Sequence, residues 1–379
     1  MISVLTLAGS TQPSAAQQPA NNPPAATLKI QAREVVMPVT VRDKKGALVT
    51  TLKMSDFTLT EDGRPQTIKS FSRESNLPFR VGLLVDTSRS VYTAMDSERK
   101  AAGKFVDLML PADLKVTPAQ GGPSQSDQAF LIHFDREVEL LEDFTNSRDK
   151  LHHELDDMGS TRAEQNSSRG PETSDDDRGG GQTRSRGGTQ LYDAIYLASH
   201  ELMEPKDGRK ALVVFSDGVD RGSKETLNDA VDAADRANVA VYTIYFKGEE
   251  ERNSNFAGPG MGGGHHGGMG GGMPGGGGGP GGGNRRNGGS GEANVDGKKI
   301  MEKIATRTGA RYFEAKKKDN LDEIYGQIAE ELRGQYLMTY TPDKVDTDGG
   351  FHKIALKASN GDLIVVTREG YYAPTEASR

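Results

Sequence analysis

The sequence of 379 residues contains no cysteine. Disulfides, thiolate zinc sites, iron–sulfur clusters and cysteine nucleophiles are therefore excluded. No apolar run approaches the length of about 18 residues that a membrane-spanning helix needs. Basic residues are outnumbered, with 47 Lys and Arg against 54 Asp and Glu, and the net charge is −7. A chain with this balance lacks the basic footprint of a protein that coats nucleic acid or an anionic membrane.

Glycine is plentiful and concentrated in one place. Of the 47 glycines, 21 fall between positions 258 and 291. Such a tract has few side chains to bury, so residues 253–293 are predicted to be disordered, as is a polar insert at 161–188. Residues 1–26 are predicted to be a disordered leader or the remnant of an export signal, because an apolar stretch at 2–8 precedes small and polar residues. We therefore expect an exported protein, which is periplasmic, at the cell surface or secreted.

The middle of the chain has the pattern of an α/β domain. Continuous apolar runs, typical of strands buried on both faces of a sheet, occur at 81–85, 129–134, 211–215 and 239–246. Segments with the apolar spacing of helices separate these runs. The alternation predicts a doubly wound, mainly parallel sheet with a Rossmann-like fold over residues 79–334.

The two ends of the folded region have strand patterns without helices. Residues 27–78 and 335–379 each contain a few short alternating segments separated by turn residues. Pieces of two or three strands are marginally stable alone. We therefore expect the two segments to pair into one small β-sandwich-like domain, into which the α/β domain is inserted.

The sharpest local feature is a cluster of oxygen donors directly after the first buried run. Asp86, Ser88 and Ser90 alternate there, just before a predicted helix. Ligands of doubly wound sheets bind at the carboxyl ends of the strands. One carboxylate and two hydroxyls on a single turn suit a hard cation such as Mg²⁺ or Mn²⁺. The alternative is helix capping, because Asp and Ser are also favoured N-cap residues.

Two further oxygen donors stand at equivalent junctions. Thr189 follows two glycines and precedes a predicted helix, and Asp217 follows the buried run at 211–215. Each has a structural alternative, which is an N-cap for Thr189 and a turn residue for Asp217. Three such junctions at one edge of the sheet favour a shared site.

Together these residues resemble the metal-ion-dependent adhesion site of the von Willebrand factor type A (VWFA) domain. The residues that carry this resemblance are Asp86, Ser88, Ser90, Thr189 and Asp217. Other stretches resemble a bacterial subgroup, the acidobacterial-type VWFA-related domain proteins; they lie at 39–43, 56–63, 133–140, 188–195 and 368–374. The resemblance covers roughly residues 30–374 apart from the two inserts.

The resemblance implies an adhesion-type, protein-binding module that is not an enzyme. In such a site Asp86 and Asp217 would supply carboxylates, and Ser88, Ser90 and Thr189 would supply hydroxyl oxygens, some of them through water. The expected ion is Mg²⁺, or else Mn²⁺ or Ca²⁺. An Asp or Glu of a partner protein would fill the remaining position on the ion.

Two other functions stay open. A metal-dependent hydrolase, or an accessory subunit of a larger enzyme, needs a general base, and His133 at the end of a neighbouring strand is able to approach in space. The sequence has neither a Gly-x-Ser-x-Gly nucleophile elbow nor a phosphate-binding loop. A structural envelope protein would bind the ion without a partner. The His265–His266 pair and the Arg/Gly stretches are interpreted as linker, and no nucleic-acid partner is expected.

Overall fold

The computed structural model describes residues 34–73, 77–110, 126–158, 188–247, 296–315, 320–344, 346–373 and 375. The stretches predicted to be disordered, at 1–26, 161–188 and 253–293, lie outside these residues, except for Gly188. No helix in the described part of the chain is long and apolar enough to cross a bilayer.

Four strands come first, and the alternating pattern of the leading segment predicts three of them. They are β1 (Val35–Arg42), β2 (Phe57–Glu61), β3 (Arg64–Gln66) and β4 (Ile68–Ser72). The sequence does not predict β3, because its three residues, a proline between two polar residues, have no alternating apolar pattern. The β2–β3 hairpin turns at Asp62 and Gly63, which both have a positive φ.

Six strands form the central sheet. They are β5 (Phe79–Asp86), β6 (Gln128–Phe134), β7 (Val138–Thr145), β8 (Arg209–Ser216), β9 (Val239–Phe246) and β10 (Tyr312–Ala315). Their order in the sheet is β10-β9-β8-β5-β6-β7. All neighbours pair in parallel except β7, an edge strand that runs antiparallel to β6. Each residue of β5 is buried, as expected for a continuous apolar run at the centre of the sheet.

Helices cover both faces of this sheet. They are α1 (Met95–Met109), α2 (Arg148–Asp157), α3 (Leu191–Leu197), α4 (Leu227–Arg236), α5 (Gly297–Arg307) and α6 (Leu321–Gly334). On one face, α1, α2 and α6 pack against the side of β5 that carries Leu83. On the other face, α3, α4 and α5 pack against the side that carries Leu84. The predicted doubly wound sheet is confirmed.

Two helix boundaries differ from the sequence prediction. The apolar spacing at 91–110 predicts one helix, but this stretch begins as a 3₁₀ segment, Arg89–Ala94, and becomes α-helical only at Met95. The helix expected to run through residue 202 is α-helical to Leu197 and continues as a π-helical segment, Ala198–Met203. Neither change in helix type leaves a signal in the apolar spacing.

The last four strands are β11 (Tyr336–Tyr340), β12 (Phe351–Ala358), β13 (Ile364–Val366) and β14 (Gly370–Tyr372). They pair with the strands from the start of the chain in two four-stranded sheets, β13-β1-β11-β4 and β14-β12-β2-β3. Each sheet therefore takes two strands from each end of the chain. The core between the sheets includes Met37, Leu59 and Met338, which are at most 2% exposed. The fold is thus a doubly wound α/β domain inserted into a β-sandwich-like unit, and the proposed domain limits at 78/79 and 334/335 remain a prediction.

Candidate metal centre

The candidate site lies where the winding of the central sheet reverses. The chain leaves β5 towards β6 on one side, and it leaves β8 towards β9 on the other side. In sheets of this kind the crevice outside the carboxyl ends of two such neighbouring strands is the usual ligand site. Asp86 is the last residue of β5, and Ser216 is the last residue of β8, followed by Asp217.

Asp86 is a fully buried carboxylate. Its Oδ1 accepts a hydrogen bond of 2.8 Å from the backbone N–H of Ser88, and its Oδ2 accepts one of 2.7 Å from the Ser216 hydroxyl. Burial raises the pKa of Asp86 to about 7; the hydrogen bonds from Ser88 and Ser216 oppose this rise, and the nearby charge of Asp217 adds to it. No Lys, Arg or His side chain within the described residues pairs with it. A buried carboxylate in this setting is stabilised by a bound cation.

The hydroxyls of the two serines after Asp86 are hydrogen-bonded to each other. Ser88 stands at the N-cap position of the 3₁₀ segment, but its side chain makes no capping hydrogen bond. Instead, the Ser88 and Ser90 hydroxyl oxygens lie 3.1 Å apart. Adjacent ligands of an octahedral ion with bonds of about 2.1 Å are separated by about 3.0 Å. The spacing therefore fits two ligands of one Mg²⁺-sized ion, and the capping interpretation of Ser88 is not supported.

Asp217 is held beside Asp86 by a turn packed tightly against α5. Its Oδ1 accepts a hydrogen bond of 3.0 Å from the N–H of Val219, so the predicted turn role is present. Gly218 has a φ of 72°. A Cβ at Gly297 would lie 2.0 Å from the Asp217 carbonyl oxygen, so glycine is required for this close approach.

Thr189 is placed at the same edge of the sheet through its backbone. Its carbonyl oxygen accepts from the N–H groups of Arg221 (3.0 Å) and Gly222 (3.2 Å), in the loop after β8. The next residue, Gln190, donates 2.9 Å to the carbonyl of Asp135, in the turn after β6. Thr189 thus bridges the loops on either side of β5. Gln190, not Thr189, is the N-cap residue of α3, and no hydrogen bond between described residues joins the Thr189 hydroxyl to Asp86.

Sequence reasoning missed the carboxylates that hold the loop after β8. Asp193, buried near the start of α3, accepts from the backbone N–H groups of Lys224 and Glu225 at 2.9–3.1 Å. Asp220 accepts from the N–H of Tyr192 (3.1 Å) and from a nearby hydroxyl. The helical spacing places Asp193 opposite the face of Leu191 and Ile195, so the sequence has no local signal for its burial.

His133, the candidate general base of the hydrolase alternative, lies beside the hydroxyl of Thr87 rather than that of Ser88 or Ser90. His133 Nδ1 lies 3.3 Å from Thr87 Oγ1, and its Nε2 lies 2.9 Å from Glu139 Oε2. Thr87 is 7% exposed and also lies against the carbonyl of Phe134 at 3.4 Å. Among the described residues, the side-chain hydrogen bonds of His133 are therefore to Thr87 and Glu139 and not to Ser88 or Ser90.

No family model and no curated protein matches the chain. Solved structures similar to it include an aerotolerance-related membrane protein from Bacteroides fragilis, with 13% identity over 67% of this chain and 98% of that one and a TM-score of 0.38. The vWF domain of the type V pili tip protein Mfa5 from Porphyromonas gingivalis has 13% identity over 68% and 95% and a TM-score of 0.39. Proximal thread matrix protein 1 from the mussel byssus, described with a zinc-occupied MIDAS motif, has 13% identity over 68% and 48% and a TM-score of 0.39. Likenesses at these identities and TM-scores carry no conclusion about the site.

The strand order and the position of the site define the class of domain. The chain has a Rossmann-like sheet of six strands with one antiparallel edge strand, and its acidic site lies at the reversal between β5 and β8. This is the Rossmann-like sheet that the sequence predicts, and it agrees with the fold that the resemblance to the VWFA domain implies. The resemblance to the acidobacterial-type subgroup remains a prediction.

Proposed function

We propose that the chain is a divalent-cation-dependent protein-binding module. The proposed ligands of the ion, directly or through water, are Asp86, Ser88, Ser90, Thr189 and Asp217. The observation that carries the proposal is the pair of serine hydroxyls 3.1 Å apart beside a buried carboxylate without a basic partner among the described residues. The donors are all hard oxygens, which favours Mg²⁺, with Mn²⁺ or Ca²⁺ as substitutes.

The donor set also indicates what the partner presents. Asp86 and Asp217 are the two carboxylates of the set, and the other three donors are neutral hydroxyls. A divalent ion held in this way keeps enough positive character to attract one more carboxylate. An Asp or Glu side chain of a partner protein is therefore the proposed ligand.

The proposal assigns binding rather than catalysis to the site. A hydrolase would need a general base within hydrogen-bond reach of its nucleophile or water. The histidine at this edge, His133, instead lies between Thr87 and Glu139. A hydrolytic role therefore has no support from Ser88 or Ser90.

The test compares capture of envelope proteins in Mg²⁺ and in EDTA. Full-length wild type and Asp217→Asn would be immobilised, with Asp96→Asn as a matched control, since Asp96 is an exposed carboxylate on α1. We expect a partner that the wild type and the control retain only with Mg²⁺, that Asp217→Asn does not retain, and that a peptide rich in Glu displaces. Capture that is equal in EDTA, or equal for Asp217→Asn, would contradict the proposal.

A further inference from the structure

A second group of metal-ligating side chains lies in the β-sandwich, in a different domain from Asp86. Glu61 ends β2, Asp62 stands in the hairpin turn that follows, and His352 belongs to β12. One ligand atom from each side chain lies within 4.8 Å of the other two. The β2–β12 pairing creates the cluster, because it brings the two ends of the chain together.

Glu61 has one oxygen that the protein does not satisfy. The side chain is fully buried, and its Oε2 accepts hydrogen bonds from the hydroxyls of Tyr340 (2.6 Å) and Tyr371 (3.4 Å). Its Oε1 has no hydrogen-bond partner among the described residues; Arg64 and His352 approach it only to 3.7 and 3.8 Å. Leaving a buried carboxylate oxygen without a hydrogen bond is costly. A cation bound at Oε1 would offset this cost.

Asp62 and His352 are hydrogen-bonded to each other beside Glu61, and a bound ion would take the place of the proton they share. Asp62 has a φ of 48° and uses Oδ1 to accept from the backbone N–H of Lys353 at 2.9 Å. Its Oδ2 lies 2.9 Å from His352 Nδ1. The imidazole stacks on the ring of Tyr371, with the centroids 5.4 Å apart, which fixes its orientation.

The distances match a small coordination sphere. Ligand atoms bound at about 2.0 Å in a tetrahedral centre are about 3.3 Å apart. The two distances from His352 Nδ1, 2.9 Å to Asp62 and 3.8 Å to Glu61, lie on either side of that value. On the other side of the ring, Asp346 Oδ2 stands 3.9 Å from Nε2, so a third carboxylate lies close to the imidazole.

We propose that Glu61, Asp62 and His352 form a second metal site, which takes Zn²⁺. Imidazole nitrogen and carboxylate oxygen are both ligand types of Zn²⁺, and this set differs from the all-oxygen set of the Asp86 site. The bound ion would satisfy the free oxygen of Glu61 and join β2 to β12. It would thereby fasten the leading segment of the chain to the trailing segment. This site does not depend on the proposed binding function.

The test is calorimetric titration of the full-length protein with Zn²⁺, together with thermal melting in EDTA and in Zn²⁺. The main variants are His352→Gln and Asp62→Asn; Asn also tolerates a positive φ and keeps an oxygen to accept from Lys353. Asp217→Asn serves to remove binding at the α/β site. His200→Gln is the matched control, since His200 also pairs with a carboxylate, Glu204, but lies on the α/β domain.

We expect Asp217→Asn and His200→Gln to retain a Zn²⁺ site that raises the melting temperature by several degrees. In His352→Gln and in Asp62→Asn the affinity of that site should fall at least tenfold and the thermal shift should vanish. If one variant does not fold, as judged by circular dichroism, the other decides the matter. If both are folded and bind Zn²⁺ at the sandwich as the Asp217→Asn protein does, or if Asp217→Asn binds no Zn²⁺, the cluster is only a histidine–carboxylate ion pair.

Discussion

The hydroxyl of Ser216, at the end of β8, donates a hydrogen bond of 2.7 Å to Oδ2 of Asp86, at the end of β5. Both side chains are completely buried. The same hydroxyl accepts from the backbone N–H of Gly218 at 3.0 Å. Ser216 therefore connects the carboxylate of one strand to the turn that carries Asp217, and it fixes the geometry of the candidate site without being one of its ligands.

The first prediction concerns this connection. Ser216→Ala removes the hydrogen bond that orients Asp86, so Mg²⁺ affinity should fall about tenfold, which corresponds to roughly 1–1.5 kcal/mol. Titration calorimetry measures the change. Ser97→Ala on α1 is a control that should bind as the wild type does. Unchanged affinity in Ser216→Ala would show that Asp86 needs no such support.

The second prediction ranks the ligands. Asp86→Ala should abolish binding of Mg²⁺ and Mn²⁺ with the fold intact, because it removes the buried carboxylate of the set. Ser88→Ala should weaken binding less, since a neutral hydroxyl contributes less to a hard cation than a carboxylate does. Calorimetry together with circular dichroism distinguishes loss of the site from loss of the fold. Equal affinities in wild type and Asp86→Ala would rule out this site assignment.

The third prediction concerns pH and the contact between α1 and α6. Burial raises the pKa of Glu98 to about 8, although a hydrogen bond from the hydroxyl of Tyr325 lowers it somewhat. Between pH 4.5 and 8 the unfolded chain loses this proton while the folded chain keeps it. The contribution to stability is therefore complete below pH 4.5 and is lost as the pH rises through 8.

Glu98→Gln keeps the oxygen that accepts from Tyr325 but cannot ionise. It should reduce the loss of unfolding free energy between pH 5 and pH 9 by roughly 1–4 kcal/mol. Urea unfolding of both proteins across this range measures the difference. Burial also raises the pKa values of Asp235 and Asp86. Both residues are present in both proteins, so their contributions cancel in the difference between the two stability curves. Parallel stability curves would mean that Glu98 is ionised in the folded protein.

The fourth prediction tests the composite sandwich and the domain limits. Truncation after Gly334 removes the strands that cover Met37 and Val39 in the leading segment. That segment should then be cleaved rapidly in limited proteolysis, while the α/β domain resists cleavage and still binds Mg²⁺. A leading segment that stays as protected as in the full chain would show that it folds without the trailing one.

The sequence was most informative where burial alone determines structure. The apolar run at 239–246 predicts β9 with its observed limits, because a strand covered on both faces carries apolar residues along its whole length. The polar residues that follow such runs could be assigned to the site because parallel strands end at one edge of the sheet. Asp86 and Asp217 are proposed as ligands on this ground.

The features that sequence did not reveal depend on distant contacts. Ser216 has no local signal for its bond to Asp86, which lies 130 positions away. Glu61 looked like an ordinary residue before a turn, and its partner His352 belongs to a strand from the other end of the chain. Pairing between segments this far apart is set by the packing of the whole fold, which no local pattern records.

The central claim is that a divalent ion sits between the ends of β5 and β8. Anomalous diffraction from crystals grown with Mn²⁺ locates such an ion directly. The account predicts a peak at roughly 2.2 Å from the hydroxyl oxygens of Ser88 and Ser90, beside Asp86. A peak elsewhere in the protein, with none at these serines at a Mn²⁺ concentration that saturates binding in solution, would contradict it.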